Sequence, residues 1–108
     1  MRVEDTKRAV HRVLVDRILH GVGDAPADQR ARAFADGDLP LPVRALVDKV
    51  ATRSAQVTDA DFAAAQAAGF TDDQLFELVI CAAVGESTRQ YEAGLAALEA
   101  AVRDPEVR

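Results

Sequence analysis

The sequence predicts an all-α domain of about six helices, and three observations carry that reading. Apolar residues recur at spacings of three and four, as in Val10, Val13, Leu14, Ile18 and Leu19. A Ser or Thr repeatedly stands three residues before an acidic or amide side chain, the pattern of a helix N-terminus: Thr58 with Asp61, Thr71 with Gln74, Ser87 with Gln90. Strict alternation of apolar and polar residues, which marks half-buried strands, is almost absent.

The elements follow in order. A first helix is expected from about Thr6 to Val22, with Glu4, Arg8, Arg12 and Asp16 stepping by four along its polar face as a ladder of exposed ion pairs. Gly21 and Gly23 close it. Pro26 suits a helix start and opens a second, shorter helix through Phe34. DGDLPLP, Asp36 to Pro42, is a connector. A third helix runs from about Val43 to Ser54 with Leu46, Val47 and Val50 inward. Thr58 and Asp61 start a fourth, which Gly69 ends.

Thr71 and Gln74 start the fifth, whose LFELVICAAV, Leu75 to Val84, is apolar on every side except at Glu77. A helix apolar all round is a buried one, and so short a chain offers few neighbours to cover it, so a subunit interface is expected to help. Gly85 is expected to interrupt, with Ser87 and Gln90 capping a sixth helix through Val102. Ala93, Gly94, Ala96 and Ala97 there permit close approach of a neighbouring backbone.

The 108 residues make one domain, 1–108, read as an N-terminal helical arm (1–40) and a helical core (41–108). Alanine supplies 22 residues, whereas Phe supplies four, Tyr one and Trp none. Apolar burial stabilises by about 25 cal/mol per Å², so small side chains contribute little each, and a homo-oligomer that shares its core is expected. The net charge of −5 argues against general affinity for nucleic acid. Residues 1–53 are net basic and residues 54–108 strongly acidic, which fits one segment lying against the other.

Cys81 is the single cysteine, so neither an intrachain disulfide nor a Cys-based zinc site is possible. His11 and His20 are nine residues apart and point to opposite sides of their helix, so they form no local metal pair. No metal or cofactor is expected. No leader-like segment and no apolar run of about 20 residues is present, which makes a membrane partner unexpected and a cytoplasmic location the simplest expectation.

The block AAGFTDDQLFELVICAAVGESTRQYEAGLAAL, Ala67 to Leu98, resembles the carboxymuconolactone decarboxylase and alkylhydroperoxidase-D-like superfamily. Its members pair a helix ending in Gly with a capped apolar helix, then a short break and an Ala/Leu helix. The resemblance implies an all-helical protomer that assembles into trimers, hexamers or similar rings. It also implies where chemistry would sit. The peroxidase-like branch carries Cys-x-x-Cys-x-x-x-His, which counting back from Gly69 places at Ser54, Val57 and Asp61. Its upstream Glu would fall on Pro42, or on Ala45 in a shorter register. No cysteine stands at any of these positions, so thiol peroxidase chemistry by this route is excluded. The decarboxylase branch uses histidines around a small acid, and these positions hold Asp61 and Cys81.

Five residues are candidates for a site. Cys81 lies in the most apolar stretch, where free cysteine packs as a small hydrophobe with a raised pKa. Glu77 lies one turn before it and needs a partner, because unpaired burial of a carboxylate costs several kcal/mol. An Arg of the first helix, Arg53 or a bound ligand would serve. Asp61 is explained by its cap. Arg53 and Ser54 adjoin the family's reactive position and suit an anion, although a solvated Arg is the plainer reading. Tyr91 suits interface packing. The expected function is a non-redox small-molecule-binding or assembly protein, with a small organic acid as the possible ligand. The alternative is a lyase or isomerase acting on a small carboxylic acid, with Glu77 as proton carrier and Arg53 as anion anchor. A vestigial alkylhydroperoxidase served by a partner's thiol would need Cys81 exposed.

Overall fold

A computed structural model describes residues 3–103, with side chains from residue 5 onward. Among the described residues there are five α-helices and no strand: α1 (Val3–His20), α2 (Ala27–Phe34), α3 (Leu41–Arg53), α4 (Asp59–Ala67) and α5 (Asp72–Arg103), with a single 3-10 turn at Ser54–Gln56. The side chain of Glu4 and the segment after Arg103 lie outside the described residues. Arg8, expected in a ladder along its own helix with Glu4, reaches Glu99 of α5 at 3.9 Å.

The starts and stops obey local chemistry. Thr71 N–H donates to Gln74 Oε1 and Gln74 N–H donates to Thr71 Oγ1, a complete capping box at the head of α5. At α4, Asp61 Oδ2 accepts from the N–H of Thr58 at 2.8 Å. α4 ends where Gly69 turns to φ 103°, a conformation that favours glycine, and Gly69 N–H and Phe70 N–H reach back to the carbonyls of Gln66 and Ala65. The connector between α2 and α3 is held by Arg44, which donates to the carbonyls of Asp36 and Gly37 and pairs with Asp48.

α5 is the axis of the molecule. Its 32 residues span about 48 Å at 1.5 Å per residue, close to the longest dimension of 54 Å. Its N-terminal half is surrounded. Leu75, Leu78, Cys81 and Ala82 are buried with Val43, Leu46 and Val47 of α3, Ala33 of α2 and Ala65 of α4. α1 lies antiparallel along it, placing Ile18 beside Cys81 and His11 beside Thr88. The C-terminal half of α5 has α1 for company and contains no buried residue beyond Gly85.

The expected break at Gly85 does not occur, and the fifth and sixth helices are one. Glycine inside a helix costs roughly 0.8–1 kcal/mol against alanine, so some other interaction must hold it. Here the cost is set against contact. The end of α2 comes down on Gly85 so closely that a Cβ there would lie against the carbonyl oxygen, carbon and Cα of Phe34, all nearer than the 3.0 Å that real Cβ atoms keep. Arg89, one turn on, donates to that same Phe34 carbonyl at 2.7 Å and satisfies the end of α2. The capping signal at Ser87 is absorbed inside the helix. Ser87 Oγ and Thr88 Oγ1 both donate back to the Val84 carbonyl.

Gly85→Ala is therefore expected to destabilise despite better helix propensity, by about 1–3 kcal/mol from overpacking. Urea unfolding followed by far-UV circular dichroism checks it, and a midpoint equal to or above that of the parent would contradict the close contact.

Candidate functional site

The five candidates do not converge. Asp61 stands at the start of α4 and binds Lys49 of α3, whose Nζ donates at 2.9 Å to Oδ1. That ammonium, aided by the Thr58 N–H, holds the Asp61 carboxyl below its ordinary range. Arg53 and Ser54 are exposed where α3 passes into the 3-10 turn. Neither reaches Glu77, so the pairing of Glu77 with Arg53 is not formed. The structure brings Glu77 together with Cys81, and the arginine beside them is Arg30.

Arg30 is 7 % exposed and is the buried charged residue among those described. It lies on α2 one turn before Ala33 and Phe34, on the inward face. Its Nη1 donates to the carbonyls of Ile18 at 3.2 Å and Gly21 at 2.8 Å, and its Nε donates to Ala25 at 3.1 Å. The first two lie at the C-terminal end of α1, where carbonyls lack helix partners and the dipole is negative. Hydrogen bonds to charged groups contribute about 1.5–3 kcal/mol each, so this guanidinium fixes how α1 turns into α2.

Glu77 holds the same loop from the other side. Its Oε1 accepts from Asp24 N–H at 2.8 Å and its Oε2 from Ala25 N–H at 2.6 Å. Ala25 is thus bracketed, its N–H on a carboxylate and its carbonyl on a guanidinium. A Cβ at Gly23 would lie against the Glu77 carboxylate, so a larger residue there would have to push that carboxylate aside. Each oxygen of Glu77 accepts from the loop backbone, which anchors the loop to α5.

Between α1 and α5, beside this clamp, is an open cleft of about 210 Å³. Arg17, Arg30, Glu77 and Cys81 are its polar walls, and Ile18, Val22 and Ile80 its apolar ones. Arg17 is exposed and forms no ion pair among the described residues, and Arg30 Nη2 carries none of the three carbonyl bonds. Cys81 is 1 % exposed, with its Sγ 3.7 Å from the Ile18 carbonyl. Burial pushes its thiol pKa up, and nearby Arg30 pulls against that more strongly than Glu77 adds to it. A protonated, covered thiol is a poor nucleophile. A larger groove, about 380 Å³, runs between Arg8, His11 and Arg12 of α1 and Tyr91 to Glu99 of α5. Arg8 and Glu99 pair across it at 3.9 Å, and its histidine is bonded to Thr88 at 2.8 Å.

Arg30 was missed from sequence, although a signal exists in its spacing: it precedes Ala33 and Phe34 by three and four, the inward stripe of α2. Arg17 belongs to the basic face of the first helix and is exposed beside the cleft. No family model, no curated protein and no solved structure matches this chain. Among the described residues no group of His, Cys, Asp and Glu is arranged to hold a metal, and no helix is long and apolar enough to cross a membrane.

Two outcomes are expected. In native buffer Cys81 should resist labelling by a water-soluble disulfide reagent, and become reactive in denaturing urea; rapid labelling of folded protein would restore the exposed-thiol reading. Asp61 has a lowered folded pKa, so its contribution is whole above the unfolded pKa, about 4, and is lost as pH falls below that through the folded value. The stability gap between the parent and Asp61→Asn should therefore be constant from pH 7 to 5 and shrink below pH 4, measured by urea midpoints across that range.

Proposed function

We propose that this chain is a non-redox binding protein whose ligand is a small carboxylate with a short aliphatic body, held in the cleft between α1 and α5. The observation that carries the reading is the state of Arg30. A buried guanidinium is oriented by three carbonyls, leaves Nη2 without those bonds, and stands in a cleft whose other arginine, Arg17, has no ion-pair partner among the described residues. Arginine suits a carboxylate because its planar fork matches the two oxygens, and pre-orientation reduces the entropy lost on binding. Ile18, Val22 and Ile80 offer the aliphatic contact. Glu77 adds negative charge to the wall. Its two oxygens are already hydrogen-bonded, and the two guanidinium groups outnumber it.

The resemblance to the carboxymuconolactone decarboxylase-like fold is consistent with this reading and supplies no further step, since the positions expected to react hold Ser54, Val57, Asp61 and Cys81. An accessory role, in which a partner protein takes the place of the small ligand, belongs to the same class.

Titration of the labelled protein with sodium 2-methylpropanoate, followed by amide NMR, is the test. Saturable shifts at Gly21, Val22, Ile80 and Cys81 are expected, absent with the uncharged 2-methylpropanamide. Arg17→Gln should weaken the affinity about tenfold, in line with the loss of one charge-assisted hydrogen bond. Shifts that never saturate, or that persist unchanged in Arg17→Gln, would reject the cleft as a carboxylate site.

A further inference from the structure

From the faces of α1 and α5 that no other helix covers, we infer that two copies of this chain pair through that surface, antiparallel, about a two-fold axis at Ser87. The claim goes beyond the binding reading and rests on other observations, although Ile80 belongs to both surfaces.

The surface follows from helical geometry. On α5, Cys81 and Thr88 face α1, while Leu78, Ala82 and Gly85 turn toward α2 and α3. At 3.6 residues per turn, a third direction remains, roughly 100° from the α1 contact on the other side. It carries Phe76, Ile80, Ala83, Ser87, Tyr91 and Leu98, with Gly94 between the last two and Val102 beyond. No Asp, Glu, Lys or Arg interrupts that line. Phe76, Tyr91, Leu98 and Val102 are each between 44 and 65 % exposed. α1 has a flank of Val10, Val13 and Leu14, all exposed, which continues into Arg17. Arg17 and Ile80 line one cleft, so the two flanks look out from the same side of the pair. The molecule thus presents a two-helix layer whose outer surface is apolar apart from Arg17 near its edge, and depletion of charge is what distinguishes the centre of an interface.

The pattern of sizes identifies a second copy as the occupant. Reverse α5 upon itself about Ser87, and each residue meets the one equally far on the other side. Ile80 meets Gly94, Ala83 meets Tyr91, and Phe76 meets Leu98, so large residues face small ones near the axis and two large ones close the ends. The acidic first turn, Asp72 and Asp73, comes level with the last turn, which carries Arg103. Since His11 is level with Thr88, the same axis sets Val10 of α1 level with Leu14 of the other copy. A surface complementary to itself under a two-fold operation is an isologous interface, and two such layers form a four-helix arrangement.

The areas agree. The chain exposes 7275 Å², whereas a folded monomer of 11.6 kDa exposes about 5,800 Å², and the surplus exceeds the roughly 800 Å² that each partner contributes to a standard interface. The radius of gyration, 16.6 Å, also exceeds the roughly 13 Å of a compact chain of this length.

Sedimentation velocity on the full chain tests the pairing, with expected mass twice 11.6 kDa. Leu98→Glu lies outside the core and should keep the helical circular dichroism while weakening association at least tenfold. Ser87→Cys should cross-link two chains under mild oxidation, and Ala93→Cys, on the opposite flank, should not. A parent that stays monomeric at hundreds of micromolar, a trimer or larger ring, or equal cross-linking at both positions would each overturn the proposal.

Discussion

One residue holds the molecule's layout together. Ala25 donates its N–H to Glu77 and its carbonyl accepts from Arg30, so a loop of the chain is gripped between charges from two helices. The two charged groups attract through the peptide groups between them without touching, and each is satisfied by backbone rather than by the other. Burial of a charge is tolerated on those terms, because dipoles from the protein replace the water that was lost. The direction of α1, the start of α2 and the second turn of α5 all meet there. Removing either charge would leave the other facing buried backbone groups alone.

Legibility in the sequence varied with the range of the interaction. Thr58 with Asp61 and Thr71 with Gln74 announce helix starts because cap and partner are three residues apart, and both form. The same logic at Ser87 and Gln90 misleads. Whether Gly85 breaks a helix or admits a neighbour is decided by Phe34, which no local pattern brings beside it. Glu77 was identifiable as a carboxylate in need of a partner, since it stands alone in an apolar run. That the partner would be two backbone amides of a loop 52 residues upstream was not. Arg30 is the buried charged residue among those described, yet its sequence surroundings are those of an ordinary amphipathic helix. Asp61 shows the converse: its reading as a helix cap required nothing beyond Thr58, with Lys49 an addition that spacing does not reveal.

The two halves of α5 live under different physics. Residues up to Gly85 are fixed by packing on several sides, and their side chains are chosen for fit. Those beyond it rest on α1 and on internal hydrogen bonds such as Arg89 and Gln90 to Glu86. Helix propensity supports that half, since Ala, Leu, Glu and Gln are good helix formers, but propensity alone holds short helices marginally in water. A stretch of this kind gains order mainly from whatever lies against its open flank.

The small size of the buried side chains bears on how the protein responds to temperature. Alanine, cysteine and the glycine under Phe34 fill places that leucine or phenylalanine occupy in many cores, and close backbone approach replaces bulk. The increase in heat capacity on unfolding scales with the apolar area that becomes hydrated, and such positions add little to it. The single chain should then have a comparatively flat stability curve, losing less on cooling and gaining less at its maximum than a domain of equal length with a bulkier interior.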